Sequence, residues 1–193
     1  MMKRLRQALL MEEHVCPWWL AYTFDHRLRR LLHRPEQLLD GLVSAGQTVA
    51  DIGCGMGFFS IAMAHLVGPA GRVIAVDVQP KMFAVLQRRA TRSGLWPRIR
   101  PHLSERDKLG LHDPLDFALA FWMVHETPSP ANLFNEIHQL LKPRAALLVA
   151  EPMIHVPMAR FREVLAAAHA AGLQTEAQPK IALSRAAILR RPA

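Results

Sequence analysis

Residues 49–57 read Val-Ala-Asp-Ile-Gly-Cys-Gly-Met-Gly, an apolar run that ends in three glycines at alternate positions. Glycines at the end of a buried strand let a ligand approach backbone that a Cβ would otherwise block. The helix expected after them offers unpaired N–H groups in its first turn. A pyrophosphate site calls for the spacing G-x-G-x-x-G. Here the spacing is G-x-G-x-G, and Asp51 stands two residues before the first glycine. That carboxylate opposes a pyrophosphate and suits a ligand carrying an ammonium group. A second acid, Asp77, ends the next apolar run twenty residues after Gly57. At that place a carboxylate can accept the hydrogens of both ribose hydroxyls.

A second set of reactive side chains lies in Phe121-Trp122-Met123-Val124-His125-Glu126-Thr127-Pro128. His125 is the best candidate for a general base, since an imidazole takes up a proton near neutral pH. Glu126 would orient it or cap local backbone; the alternative is a packing histidine at a helix start. His155, which follows Glu151-Pro152, is a further pocket candidate. His125 and His155 have no third ligand placed by spacing, so no metal is expected. The pair His14-x-Cys16 reads as incidental, and two cysteines, Cys16 and Cys54, make no disulfide framework.

Such residues act together only if their loops converge, and the hydrophobic rhythm supplies the means. Short apolar runs alternate with amphipathic helices, the pattern of a parallel sheet covered on both faces. Strands are expected at 48–52, 72–76, 99–103, 116–121 and 145–150, with two closing β segments at 173–178 and 181–189. Helices are expected at 35–43, 58–67 and 80–93, from Pro130 to Leu141 with Ser129 as cap, and ending at Gly172. The fold class is α/β, as a three-layer α/β/α sandwich in one domain, 1–193. Within it, 1–34 forms an N-terminal helical segment and 35–193 the core.

Composition sets the outer bounds. The chain has 193 residues, 51% hydrophobic and 21% charged, an ordinary balance for one globular domain. No apolar stretch approaches the ~20 residues that span a bilayer, and residues 1–15 do not read as a signal peptide. A cytoplasmic protein is expected. The net charge is +8, with 14 basic against 7 acidic side chains in residues 1–100. The excess gathers around 27–34 and 88–100, either as a solvated arginine-rich surface or as a face for RNA or an anionic substrate.

The D-x-G-x-G-x-G loop, the spaced Asp77 and the order of elements resemble the class I S-adenosylmethionine (SAM)-dependent methyltransferases. Their small-molecule group, which includes the ubiquinone and menaquinone biosynthesis enzymes, is the most similar. The resemblance covers residues 35–193. It implies a Rossmann-like, mostly parallel seven-stranded sheet with a terminal antiparallel strand, and SAM as cofactor. Gly53, Cys54, Gly55 and Gly57 would surround its methionine portion, with Asp51 near the amino group and Phe121 beside the loop. Asp77 would hold the ribose, and Val78 and Met82 would flank the adenine. Glu105, rather than Asp107, would accept from the adenine amino group.

Trp122, His155, Trp19 and Tyr22 would border the acceptor, although pinning the N-terminal segment to the core is the better reading of Trp18 and Trp19. The segment after 121 lacks the Asn/Asp-Pro-Pro-aromatic signature of many nucleic-acid amino-methyltransferases. Where the quinone enzymes carry Arg-Asn, this chain has Val124-His125. Too few residues separate 151 from the last helix for an inserted lid, so the acceptor pocket is open or completed by the N-terminal segment or a second subunit. The expected activity is methyl transfer to a small, apolar or aromatic acceptor, in a monomer or homodimer. An RNA or protein methyltransferase and a non-catalytic SAM-binding partner are the alternatives. Arsenite methylation would need more cysteines than the one left outside the loop.

Overall fold

A computed structural model describes residues 32–193. The sequence readings for His14, Cys16, Trp18, Trp19 and Tyr22 lie outside the described residues. In chain order the elements are α1 (Pro35–Leu38), β1 (Thr48–Ile52), α2 (Phe58–Leu66), β2 (Arg72–Asp77), α3 (Pro80–Arg92), β3 (Ile99–Leu103) and β4 (Leu115–Phe121). There follow α4 (Pro130–Leu140), β5 (Leu141–Pro152), α5 (Met158–Ala170), β6 (Gln174–Ala177) and β7 (Ser184–Arg190). The sheet order is β3-β2-β1-β4-β5-β7-β6. β7 runs antiparallel to both β5 and β6, and the other pairings are parallel. Among the described residues no helix is long and apolar enough to cross a membrane.

The chain leaves β1 in one direction to reach β2 and β3, and leaves β4 in the other to reach β5. Right-handed crossovers therefore place the connecting helices on opposite faces. Alternation along the strands serves both faces. Ala50, Ile52, Ile74, Val76, Ala118, Ala120, Leu147 and Val149 pack with Leu133, Phe134 and Ile137 of α4 and with Phe161 and Val164 of α5. Val49, Val73, Ala75, Phe117, Leu119 and Leu148 pack on the other side with Phe59, Ala62 and Met63 of α2 and Leu86 of α3. The central strands are buried on both faces, which is why they read as unbroken apolar runs.

Two departures from the sequence reading have a local reason, while β3 keeps its expected bounds. α1 stops at Leu38, after which the chain turns through Gly41 with φ +71°. Leu141 leaves α4 with extended backbone and begins β5, paired to Leu115, while Pro143 bars the helix from continuing. β3 is an edge strand in which only Ile99 is buried, and this explains its polar look; its Pro101 is tolerated because nothing pairs beyond it. Ser129 caps α4 as expected, accepting from the Asn132 N–H at 3.2 Å.

Phe134 has no solvent exposure and sits at the centre of the α4 face. Phe134→Ala is expected to lower unfolding free energy by about 3–5 kcal/mol in urea titrations. A loss under about 1 kcal/mol would show that α4 is not packed as described.

Candidate functional site

The strand order reverses between β1 and β4, and the loops leaving the carboxyl ends of strands at such a reversal are where open α/β sheets bind ligands. Gly53 and Cys54 both donate their N–H to the Val76 carbonyl at 2.9 Å, folding the loop over the end of β2. Gly53 is packed against Met123 of the loop after β4, where a Cβ would meet the Met123 Cβ at 2.7 Å. Gly57 has φ +84°, and a Cβ there would come within 2.2 Å of Leu86 Cδ1. Gly55 is different: no described residue lies within 4 Å of the position its Cβ would take. Two glycines thus bring neighbouring elements close, and the middle one leaves an opening among the described residues.

Asp51 is buried and accepts the Ser60 hydroxyl at 2.5 Å, tying the loop to α2. The Cys54 thiol is pushed well above its ordinary value, first by burial and then by Asp51 and Asp77, so it stays protonated. Asp77 is buried at the tip of β2. Its Oδ2 accepts the Gly55 N–H at 2.9 Å and its Oδ1 the Gln79 N–H at 2.8 Å. Burial raises its pKa, and backbone N–H bonds from Gln79, Gly55 and Val78 oppose that rise. Each carboxylate oxygen has more than one lone pair, so both can still take a hydroxyl hydrogen. These two acceptor oxygens and the opening at Gly55 fit a ribose-bearing ligand. Val78 is half-buried and Met82 buried beside it. Ser104 donates to the Asp77 carbonyl at 3.1 Å, which sets the loop carrying Glu105 and Asp107 next to this carboxylate, with both acids exposed.

Phe121 and Trp122 form an aromatic group with Phe59 and His33, on the α2 side of the sheet. Trp122 has φ +61°, and its indole donates to Ser184 Oγ at 2.8 Å. A non-glycine residue in that region stores of order 1–3 kcal/mol of strain. The anchored indole holds the turn that presents Met123, Val124 and His125.

His125 is held by Glu151, and sequence reasoning missed this. Glu151 ends the apolar run of β5 with no solvent exposure. Its Oε1 accepts the Val124 N–H at 3.0 Å, and its Oε2 accepts the His125 N–H at 3.1 Å and contacts His125 Nδ1 at 2.6 Å. Glu126, read from sequence as either an orienter of His125 or a cap for local backbone, lies with Oε1 3.9 Å from His125 Nε2, beyond hydrogen-bond distance. The signal for Glu151 was present as a lone acid closing a strand that is otherwise apolar. The exposed His155 stacks on His125, with ring centroids 6.0 Å apart.

The order of strands and the glycine loop after β1 define a Rossmann-like fold. A family model described as a methyltransferase domain matches residues 49–144, from β1 into the start of β5. The chain belongs to the class I SAM-dependent methyltransferases, and SAM is its cofactor. A SAM-dependent methyltransferase from Aquifex aeolicus superposes with a TM-score of 0.82 at 24% identity, covering 91% of this chain and 99% of that one. The demethylmenaquinone methyltransferase of Lactobacillus johnsonii is 29% identical over 112 residues, 56% of this chain and 45% of the relative. The ribosomal protein L11 methyltransferase of Aeromonas hydrophila is 42% identical over 67 residues, 35% of this chain and 22% of the relative. The chain thus spans less than half the length of these two curated relatives.

Asp77→Asn is expected to weaken S-adenosylhomocysteine binding about tenfold to a hundredfold by calorimetry, since hydrogen bonds to a charged acceptor are lost. In the unmodified protein, affinity should fall on acidification at a pH above that of an ordinary aspartate. The raised pKa of Asp77 means that it takes up a proton earlier, and the acid form accepts fewer hydroxyl hydrogens. Unchanged affinity in Asp77→Asn would remove Asp77 from the site.

Proposed function

We propose that this protein transfers a methyl group from SAM to a small, apolar or aromatic acceptor by inline displacement, releasing S-adenosylhomocysteine. The observation that carries this reading is the contact of Met123 with Gly53, two residues before a histidine fixed by a buried carboxylate. A proton acceptor is thereby brought to the rim of the cofactor loop. SAM supplies an electrophilic methyl on a sulfonium; the protein aligns nucleophile, methyl and leaving sulfur, which is the larger part of such catalysis. Gly53, Gly55 and Gly57 cradle the methionine portion, Asp77 holds the ribose, and Val78, Met82 and Glu105 flank the adenine.

Two features favour a small apolar acceptor. Met153, Ile154 and Met158 are exposed beside His155, with Ile154 at 85%, and they form an apolar rim next to the stacked histidines. Much of the positive charge of 88–100 is already engaged within the fold. Arg89 donates to the Met56 carbonyl, Arg98 to the Ala64 carbonyl, and Arg100 pairs with Asp113. The rival reading, an RNA or protein methyltransferase, is favoured by the basic residues of 1–100 and by the likeness to the L11 enzyme.

The two separate when radiolabelled methyl is followed from SAM into an extract of the source cells. Label is expected in the solvent-soluble fraction. Label lost only on RNase or protease treatment would overturn the small-molecule reading.

A further inference from the structure

We propose that Glu151 is a positioning residue that fixes His125 with its hydrogen on Nδ1, leaving Nε2 to deprotonate a hydroxyl group, phenolic in type, on the acceptor. This rests on the methyl-transfer reading above and names the acceptor's chemistry. The argument begins with hydrogen-bond capacity. Glu151 is fully buried, and both of its oxygens already accept a backbone N–H, from Val124 and from His125. The 2.6 Å contact from Nδ1 to Oε2 is then made by an Nδ1–H donor. A neutral imidazole that donates from one nitrogen has its lone pair on the other. Nε2 is therefore the basic atom.

Among the described residues, none hydrogen-bonds Nε2. Glu126 Oε1 is 3.9 Å away, beyond hydrogen-bond distance, while His155 stacks on the ring face. Arg185, the cross-strand partner of Glu151, donates to the Val156 carbonyl at 3.0 Å. The His125 side chain is 14% exposed, shielded yet reachable.

A base so prepared suits a nucleophile that must give up a proton, and a hydroxyl is one. A thioether or an unprotonated amine attacks a sulfonium methyl with a lone pair it already has. A phenolic hydroxyl, with an ordinary pKa near 10, must lose its proton to become a strong nucleophile at neutral pH. His125 Nε2 takes the hydroxyl proton as the acceptor oxygen forms its bond to the methyl carbon. The carbon–sulfur bond breaks with its electron pair going to sulfur. The products are a methyl ether, S-adenosylhomocysteine and protonated His125, which returns its proton to solvent.

The first test uses no acceptor. Long-range proton–nitrogen spectra of the nitrogen-15-labelled protein, with His125→Asn to assign the ring, should show protonated Nδ1 and bare Nε2. Glu151→Gln should shift the ring to a mixture or to the opposite tautomer, with S-adenosylhomocysteine affinity within about twofold of the parent. The same tautomer in both proteins, or Nε2–H in the parent, overturns the positioning role. If Glu151→Gln does not fold, Glu151→Asp serves in its place, with a partial shift expected and no shift counting against the role.

The second test supplies catechol and simple phenols with labelled SAM, together with the solvent-soluble extract. With whichever of these accepts label, kcat should fall about a hundredfold or more in Glu151→Gln, with KM within about threefold, as for loss of general-base catalysis. The deficit should shrink at alkaline pH, where a phenol ionises unaided. Label on nitrogen or carbon alone overturns the hydroxyl acceptor. No transfer at all, with the Nδ1–H tautomer intact and S-adenosylhomocysteine bound, overturns the methyl-transfer reading and leaves the positioning of His125 standing.

Discussion

A carboxylate with no access to water is costly to bury unless donors surround it, and the buried carboxylate of Glu151 organises the loop after β4. It gathers the Val124 N–H, the His125 N–H and the His125 ring, all from the loop that leaves the neighbouring strand. The tip of β5 thereby sets the path of the chain after β4. Pairing of Phe121 with Ala150, and the Trp122 N–H bond to the Ala150 carbonyl at 2.7 Å, bring the two ends into reach. Removing one partner from such a cluster leaves the others unsatisfied in a dry site, so the loop has one low-energy arrangement.

The cofactor half of the site is built on a different principle. Its glycines divide the work: Gly53 admits Met123, Gly57 admits Leu86, and Gly55 has no described residue within 4 Å of its Cβ position. Asp77 takes the Gly55 N–H and so couples the shape of the glycine loop to the carboxylate at the tip of β2. The Gly53–Met123 contact joins this half to the His125 loop. The loops at the strand-order reversal are thus one structure in two parts, a glycine loop with its carboxylate from β1 and β2 and a carboxylate–histidine pair from β4 and β5.

Much of this was legible from residue types. β1, β2 and β4 are buried on both faces and show as apolar runs, and the glycine spacing with Asp77 pointed to a SAM-like ligand before any coordinates. The two β segments closing the chain were visible too. What could not be read was tertiary. Glu151 looks like punctuation after a strand, because nothing local says that its partners lie twenty-six and twenty-seven residues earlier in the chain. Glu126 is adjacent to His125 and therefore seemed its natural companion, yet neighbours in a single turn of 3₁₀ helix need not face each other. Trp122 read as a pocket residue; its left-handed backbone and its bond to Ser184 arise from a strand near the chain's end. Leu141 belonged by periodicity to α4 and was claimed instead by the pairing with Leu115.

The central claim is that the cradle and the Glu151–His125 pair form one methyl-transfer centre. A crystal structure with S-adenosylhomocysteine tests it most directly. The account predicts ribose hydroxyls on Asp77, the methionine portion along Gly53 to Gly57, and the sulfur opening toward His125 Nε2 across a gap the size of one methyl and one acceptor atom. A sulfur turned away from His125, or screened from it by Met123, would contradict the account even with the nucleoside bound as expected.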